Sequence, residues 1–170
     1  MKYHNSDLSI MTKKEKYREL LVEIGALTDG VRNKVGALGN VCALIKEKME
    51  FFWVGFYIVA CNDLGEKELQ LGPFQGTIAC YSIGYGKGVC GQSWKEKKSI
   101  VVDDVEQFPG HIACSSISKS EIVVPIWNSD NGEVVGVLDI DSEMLATFDD
   151  VDREYLEEIC NILSDKLFSQ

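Results

Sequence analysis

Phe51-Phe52-Trp53-Val54-Gly55-Phe56-Tyr57-Ile58-Val59 is the stretch whose reading decides the fold. It is aromatic and β-branched along its length, the composition of a strand buried on both faces. The stretch divides a helical part before it from a strand-rich part after it. Upstream, Thr12-Lys13-Lys14-Glu15 has capping-box spacing, and Tyr17, Leu20, Leu21, Ile24 and Leu27 follow at helical intervals, which predicts a helix over residues 12–28. Asp29-Gly30 breaks it. Val31, Val35, Leu38, Val41, Cys42 and Ile45 then carry a second apolar stripe to Met49.

Downstream, Asn62-Asp63-Leu64-Gly65 reads as a turn, and strands are expected over residues 68–71, 77–82, 99–103, 121–127 and 133–141. Residues 149–168 return to helical spacing through Val151, Leu156, Ile159, Ile162, Leu163 and Leu167, with acidic residues in the first turn. Terminal helices flanking a run of strands predict a single α+β domain over residues 1–170. Its helices should pack on one face of a central antiparallel sheet.

Composition narrows the function classes. A chain of 170 residues that is 45% hydrophobic supports one full core without a disulfide or metal to hold it. Seventeen basic against twenty-seven acidic residues give a formal charge of −10, with the basic residues scattered, so nucleic acid is not an expected partner. The same acidity suits a substrate that bears an amine. The first seven residues lack the apolar stretch of a signal peptide, and the longest apolar run is too short to span a bilayer. A soluble, cytoplasmic protein with no membrane partner is expected.

Val135-Gly136-Val137-Leu138-Asp139-Ile140-Asp141 places Asp139 and Asp141 on one strand face and Leu138 and Ile140 on the other. The preceding strand, Glu121-Ile122-Val123-Val124-Pro125-Ile126-Trp127, carries Glu121 as its only acid. Register decides whether the three converge. A three-residue loop sets Glu121 opposite Asp141, a five-residue loop sets it opposite Asp139, and a two-residue Asn131-Gly132 turn puts it on the wrong face. An odd-numbered loop is expected. Three crowded carboxylates raise one another's pKa and need a cation or a shared proton, which describes an ammonium site beside a general acid.

The thiols complete the candidate site. Cys114 follows a Pro109-Gly110-His111 turn, in a loop whose serines suggest exposure, and His111 either activates the thiol or caps the turn. Cys90 lies where a short helix should start near Gly88, a place that stabilises a thiolate. Cys80 ends a strand-like stretch and can reach either of the other two. Cys42 and Cys160 sit on apolar helical stripes as small core residues, and Cys61 has no evident partner. Zinc held by His111, Cys114, Cys80 and Cys90 is the lesser reading without a Cys-x-x-Cys pair, and no metal is expected.

Seven blocks in order carry a family resemblance. They are Trp53-Val54-Gly55-Phe56-Tyr57, Leu71-Gly72-Pro73-Phe74-Gln75-Gly76, Ile78-Ala79-Cys80, Gly86-Lys87-Gly88-Val89-Cys90-Gly91, Phe108-Pro109-Gly110-His111-Ile112-Ala113-Cys114, Ser120-Glu121-Ile122-Val123-Val124-Pro125 and Gly136-Val137-Leu138-Asp139-Ile140-Asp141-Ser142. Together they resemble the GAF-domain free methionine-(R)-sulfoxide reductases, from the first helix to the last, with a longer turn from Cys61 to Lys67.

The resemblance implies a GAF fold with a ligand pocket under loops on the sheet face away from the helices. It implies Cys114 as nucleophile and Cys80 and Cys90 as thiols available for disulfide formation. Glu121, Asp139 and Asp141 would bind and polarise free methionine sulfoxide, with Trp53 and Tyr57 lining the wall at its methyl end. Thioredoxin would serve as reductant, no cofactor would be needed, and a homodimer through the terminal helices is expected. The competing readings are a GAF sensor for a small ligand and a thiol redox switch without turnover.

Overall fold

The computed structural model describes residues 10–169, so the reading of residues 1–7 as lacking a signal peptide falls outside the described residues. Helix α1 (Lys13–Leu27) begins as its spacing predicts. The Thr12 hydroxyl accepts the Glu15 N–H and the Glu15 carboxylate accepts the Thr12 N–H, a reciprocal cap. Helix α2 (Lys34–Met49) starts later than its apolar pattern suggests, at an Asn33 cap. Val31 and Val35 are exposed, because Val31 precedes the helix and the buried stripe begins only at Ala37.

The strands are β1 (Trp53–Cys61), β2 (Lys67–Gln75), β3 (Ser82–Ile83), β4 (Ile100–Val102), β5 (Ser120–Trp127) and β6 (Val134–Ser142). They form one antiparallel sheet in the order β3-β2-β1-β6-β5-β4. Helix α3 (Gly88–Glu96) lies between β3 and β4 in sequence, and α4 (Asp150–Leu167) closes the chain from an Asp149 cap. This is the expected α+β architecture, a central antiparallel sheet with helices packed on it.

Two cores sandwich the sheet. On one face, α1, α2 and α4 pack Tyr17, Leu20, Ile45, Leu156 and Ile159 against Val54 and Phe56 of β1, Ile122 of β5 and Leu138 and Ile140 of β6. On the other, α3 packs Val89 and Trp94 near Trp53, Tyr57, Val123 and Val137. The period of two thus sorts β6 cleanly, with Leu138 and Ile140 toward the helices and Asp139 and Asp141 toward α3. No helix among the described residues is long and apolar enough to cross a membrane.

Two strand expectations need correction. Of residues 77–82 only Ser82 enters the ladder with β2, beside Ile83, while residues 77–81 are a loop. Gly76 turns the chain there at φ +142°, and the carbonyls of Thr77 and Cys80 accept bonds from β1 side chains in place of a ladder. The β5–β6 connection is neither odd nor short, since six residues, 128–133, separate the strands. A bulge restores the register. Ile126 pairs with Gly136 and Trp127 with Val134, so Val135 is the extra residue and Glu121 still faces Asp141.

A buried acid links the first and last helices. Asp152 is fully buried and accepts from the Tyr17 hydroxyl at 2.7 Å, the Lys13 ammonium at 2.6 Å and the Asp149 N–H at 2.8 Å. Tyr17→Phe would leave one bond of a buried carboxylate unmade, at a cost of about 1–3 kcal/mol. Denaturant unfolding should show a lower midpoint with an unchanged slope.

Candidate functional site

Register across three strands builds the floor of the site. Glu121 of β5 faces Asp141 of β6, which faces Trp53 of β1. In the next row Val123 faces Asp139, which faces Gly55, and in the row beyond Val137 faces Tyr57. Pairing partners share a face, so the three acids and two aromatics point the same way. Gly55 leaves the place beside Asp139 without a side chain, and Trp53 leans across it. A Cβ there would come within 2.2 Å of the indole, and one at Gly76 within 2.4 Å, so two glycines make room for one ring. Trp53 then stacks on Phe74 at 5.3 Å and on Tyr57 at 6.2 Å.

The aromatics also fix the roof. Trp53 Nε1 donates to the Thr77 carbonyl at 2.9 Å and the Tyr57 hydroxyl donates to the Cys80 carbonyl at 3.0 Å. Cys80 thus stands in a loop pinned over the acids. A disulfide joins it to Cys114, with Cα atoms 5.7 Å apart, and ties residues 77–81 to the second loop, 108–119, across the mouth of the cleft. The cleft beneath them opens to solvent. Trp53, Tyr57, Cys90, His111, Cys114, Glu121, Asp139 and Asp141 all line it, and Cys80 joins through its bond to Cys114.

Sequence reasoning missed Phe52, Ile78, Ile112 and Ser118, which line the cleft as well. Ser118 hydrogen-bonds to Asp141 and is buried, although its serine-rich surroundings read as exposed loop. Its place three residues before Glu121 was the available signal.

Electrostatics of the floor follow from burial without a compensating cation. Glu121 and Asp139 are each 6% exposed, and no lysine or arginine lines the cleft among the described residues. Desolvation, and then the charge of Asp141, push Glu121 up to about 8. Asp139 is raised by burial and by Glu121, and Asp141 by burial and by Asp139. Glu121 and Asp139 hydrogen-bond to each other, which requires a proton between them. The second oxygen of Asp139, Oδ1, is buried with no hydrogen-bond partner.

Cys90 corrects an expectation. It does lie in the first turn of α3, yet it is buried and its thiol is held to Asp139. Burial and the charges of Asp139 and Glu121 push it far above the ordinary thiol value, overwhelming the helix terminus. Cys90 is therefore not the readier thiolate. His111 closes the turn, its backbone N–H donating to the Phe108 carbonyl, while its side-chain Nε2 lies 3.6 Å from Glu121 Oε2. Burial lowers its pKa, so a neutral imidazole stands beside the acid rather than an ion-pair partner. The considered zinc set of His111, Cys114, Cys80 and Cys90 does not assemble, because two of its thiols are bonded to each other.

Glu121 ties the site to stability. Its folded pKa of about 8 lies above the ordinary 4.5, so the folded state holds a proton that the unfolded chain releases. That stabilisation is complete below pH 4.5 and is lost as pH rises through about 8. Glu121 should contribute up to about 1.4 kcal/mol per pH unit to the fall of unfolding free energy across this window, on top of what the raised Asp139 and Asp141 add. Glu121→Gln should flatten the slope in denaturant titrations at stepped pH, and an unchanged slope would refute the assignment.

Comparison with known proteins agrees with this fold. The family model described as GAF domain matches residues 37–167. The chain is 50% identical to GAF domain-containing protein A of Dictyostelium discoideum, over 92% of this chain and 96% of that one. It is 40% identical to the free methionine-R-sulfoxide reductase of Saccharomyces cerevisiae, over 95% and 93%. An X-ray structure of free methionine-R-sulfoxide reductase from Neisseria meningitidis in complex with its substrate superposes with a TM-score of 0.86 at 46% identity, covering 93% of this chain and 92% of that one. A likeness at this level over nine-tenths of the molecule places the chain in the GAF-domain free methionine-R-sulfoxide reductase family.

Proposed function

We propose that the protein reduces free L-methionine (R)-sulfoxide to methionine, with Cys114 as nucleophile. The observation that carries the reading is a cysteine in the wall of a cleft whose floor is two buried acids and a half-buried third, with pKa values raised by desolvation and by one another. The relative from Neisseria meningitidis, 46% identical and solved with its substrate, supports the choice of substrate and of diastereomer.

The chemistry needs these groups. A sulfoxide oxygen leaves poorly until protonated, and the proton shared by Glu121 and Asp139 is available at neutral pH because burial holds it there. As the Cys114 thiolate attacks sulfur, the acid delivers that proton to oxygen. The hydroxyl of the adduct shifts to the Cys114 sulfur, the new sulfur–sulfur bond breaks with its electron pair leaving on methionine, and Cys114 becomes a sulfenic acid. The Cys80 thiolate then attacks the Cys114 sulfur, hydroxide leaves as water, and the Cys80–Cys114 disulfide is the product. An external dithiol, thioredoxin in this proposal, reduces it and closes the cycle. The remaining carboxylate charge holds the substrate ammonium, Trp53 and Tyr57 receive the methyl end, and a peptide-bound methionine sulfoxide lacks that ammonium. No organic cofactor or metal enters the cycle.

The test supplies reduced protein with racemic free methionine sulfoxide and a dithiol, then follows each diastereomer by chiral chromatography. Wild type should consume the R form alone and Cys114→Ser neither. Cys80→Ser should complete a single stoichiometric turnover but lose at least about tenfold in steady-state rate, since Cys90, the thiol left in the cleft, is buried and held protonated. Persistence of both diastereomers with reduced wild type would overturn the reading and leave a ligand-binding GAF sensor or a thiol switch.

A further inference from the structure

Cys90, Glu121 and Asp139 form a group that the reductase cycle does not exhaust. One Sγ and two carboxylate oxygens, one from each residue, lie within 4.8 Å of one another at the buried base of the cleft. Among the described residues no lysine or arginine lines that cleft, and Asp139 Oδ1 stands buried there without a partner. We infer that these three side chains form a binding site for a divalent transition-metal ion, Zn²⁺ being the natural occupant.

Donor chemistry selects the ion. One thiolate with two carboxylates is a borderline-soft set that suits Zn²⁺ or Co²⁺ and disfavours Mg²⁺ and Ca²⁺, which require more oxygen ligands. Tetrahedral bonds of about 2.0–2.3 Å place ligand atoms about 3.5 Å apart, so the group closes on an ion by moving at most about 1 Å. Three protein ligands leave the fourth position open to water. His111, with Nε2 at 3.6 Å from Glu121, stands beside it.

The shared proton and the Cys90 thiol both reach Asp139, yet its Oδ1 has no partner. An ammonium group answers Oδ1 but has nothing to gain from the thiol. A transition-metal ion answers both. On binding, Cys90 releases its S–H proton and the acid pair its shared proton to solvent, and the ion takes the three lone pairs. With Cys80 and Cys114 bonded to each other, Cys90 is the free thiol that lines the cleft among the described residues, so the site persists in the oxidised chain. Metal seated there occupies the acids assigned above to substrate, and on that reading zinc is a competitive inhibitor. The binding itself does not depend on that reading.

The test uses oxidised full-length protein carrying Cys61→Ser, which removes the exposed free thiol, titrated with Co²⁺ alone. A near-ultraviolet sulfur-to-cobalt charge-transfer band should appear, saturate at one ion per chain and vanish when Zn²⁺ is added. Cys90→Ser should abolish the band, and Asp139→Asn should weaken binding at least about tenfold. No band, or a band undiminished by Cys90→Ser, overturns the site. Should circular dichroism show that Cys90→Ser does not fold, Asp139→Asn decides alone, and unchanged affinity overturns the proposal. Failure of the reductase assay would leave this result untouched.

Discussion

Carboxylates buried on one sheet face without a cation are the constraint to which the rest of the molecule answers. Desolvation favours their neutral forms, and each charged neighbour makes the next charge harder to hold. A small domain tolerates such a floor only when the opposite face supplies stability. Here three helices bury Tyr17, Leu20, Ile45, Leu156 and Ile159 on the reverse of the same strands. Asp152 shows the contrasting solution, because there a buried acid has Lys13, Tyr17 and a backbone N–H as partners. Asp139 keeps one oxygen with none. The acids near the helices hold the fold together, and those under the loops are left wanting a ligand.

Much of this was legible from local rules. The capping box at Thr12 located α1, and the alternation of Asp139 and Asp141 with Leu138 and Ile140 assigned the faces of β6 before any pairing was known. Convergence of Glu121 with those acids was also foreseeable, though not its route. Six loop residues would have turned Glu121 to the wrong face, and the bulge at Val135 undoes that shift. A bulge of this kind leaves no mark in the residue pattern, since Val135 reads as an ordinary strand valine.

Other features were hidden because tertiary contacts decide them. Residues 77–81 have strand composition, but Trp53 and Tyr57 take two of their carbonyls and hold them as a loop. Nothing within the segment announces bonds from a strand more than twenty residues away. Cys90 was misjudged for the same reason. The helix terminus acts through one turn of backbone, whereas Asp139 and Glu121 reach the thiol through the fold.

The fold thereby separates two kinds of cysteine within one cleft. Thiol–disulfide exchange requires a thiolate and freedom of approach. Cys80 and Cys114 are carried on loops, away from the hydrogen bond that ties Cys90 to Asp139, and they are the pair that closes. Cys90 is rooted in α3 among charges that suppress its ionisation, so only a cation strong enough to displace its proton can draw on it. Three thiols thus surround one set of acids, two of them joined across loops and one kept as a buried free thiol. The segregation arises from which element carries each cysteine, not from any difference in the residue itself.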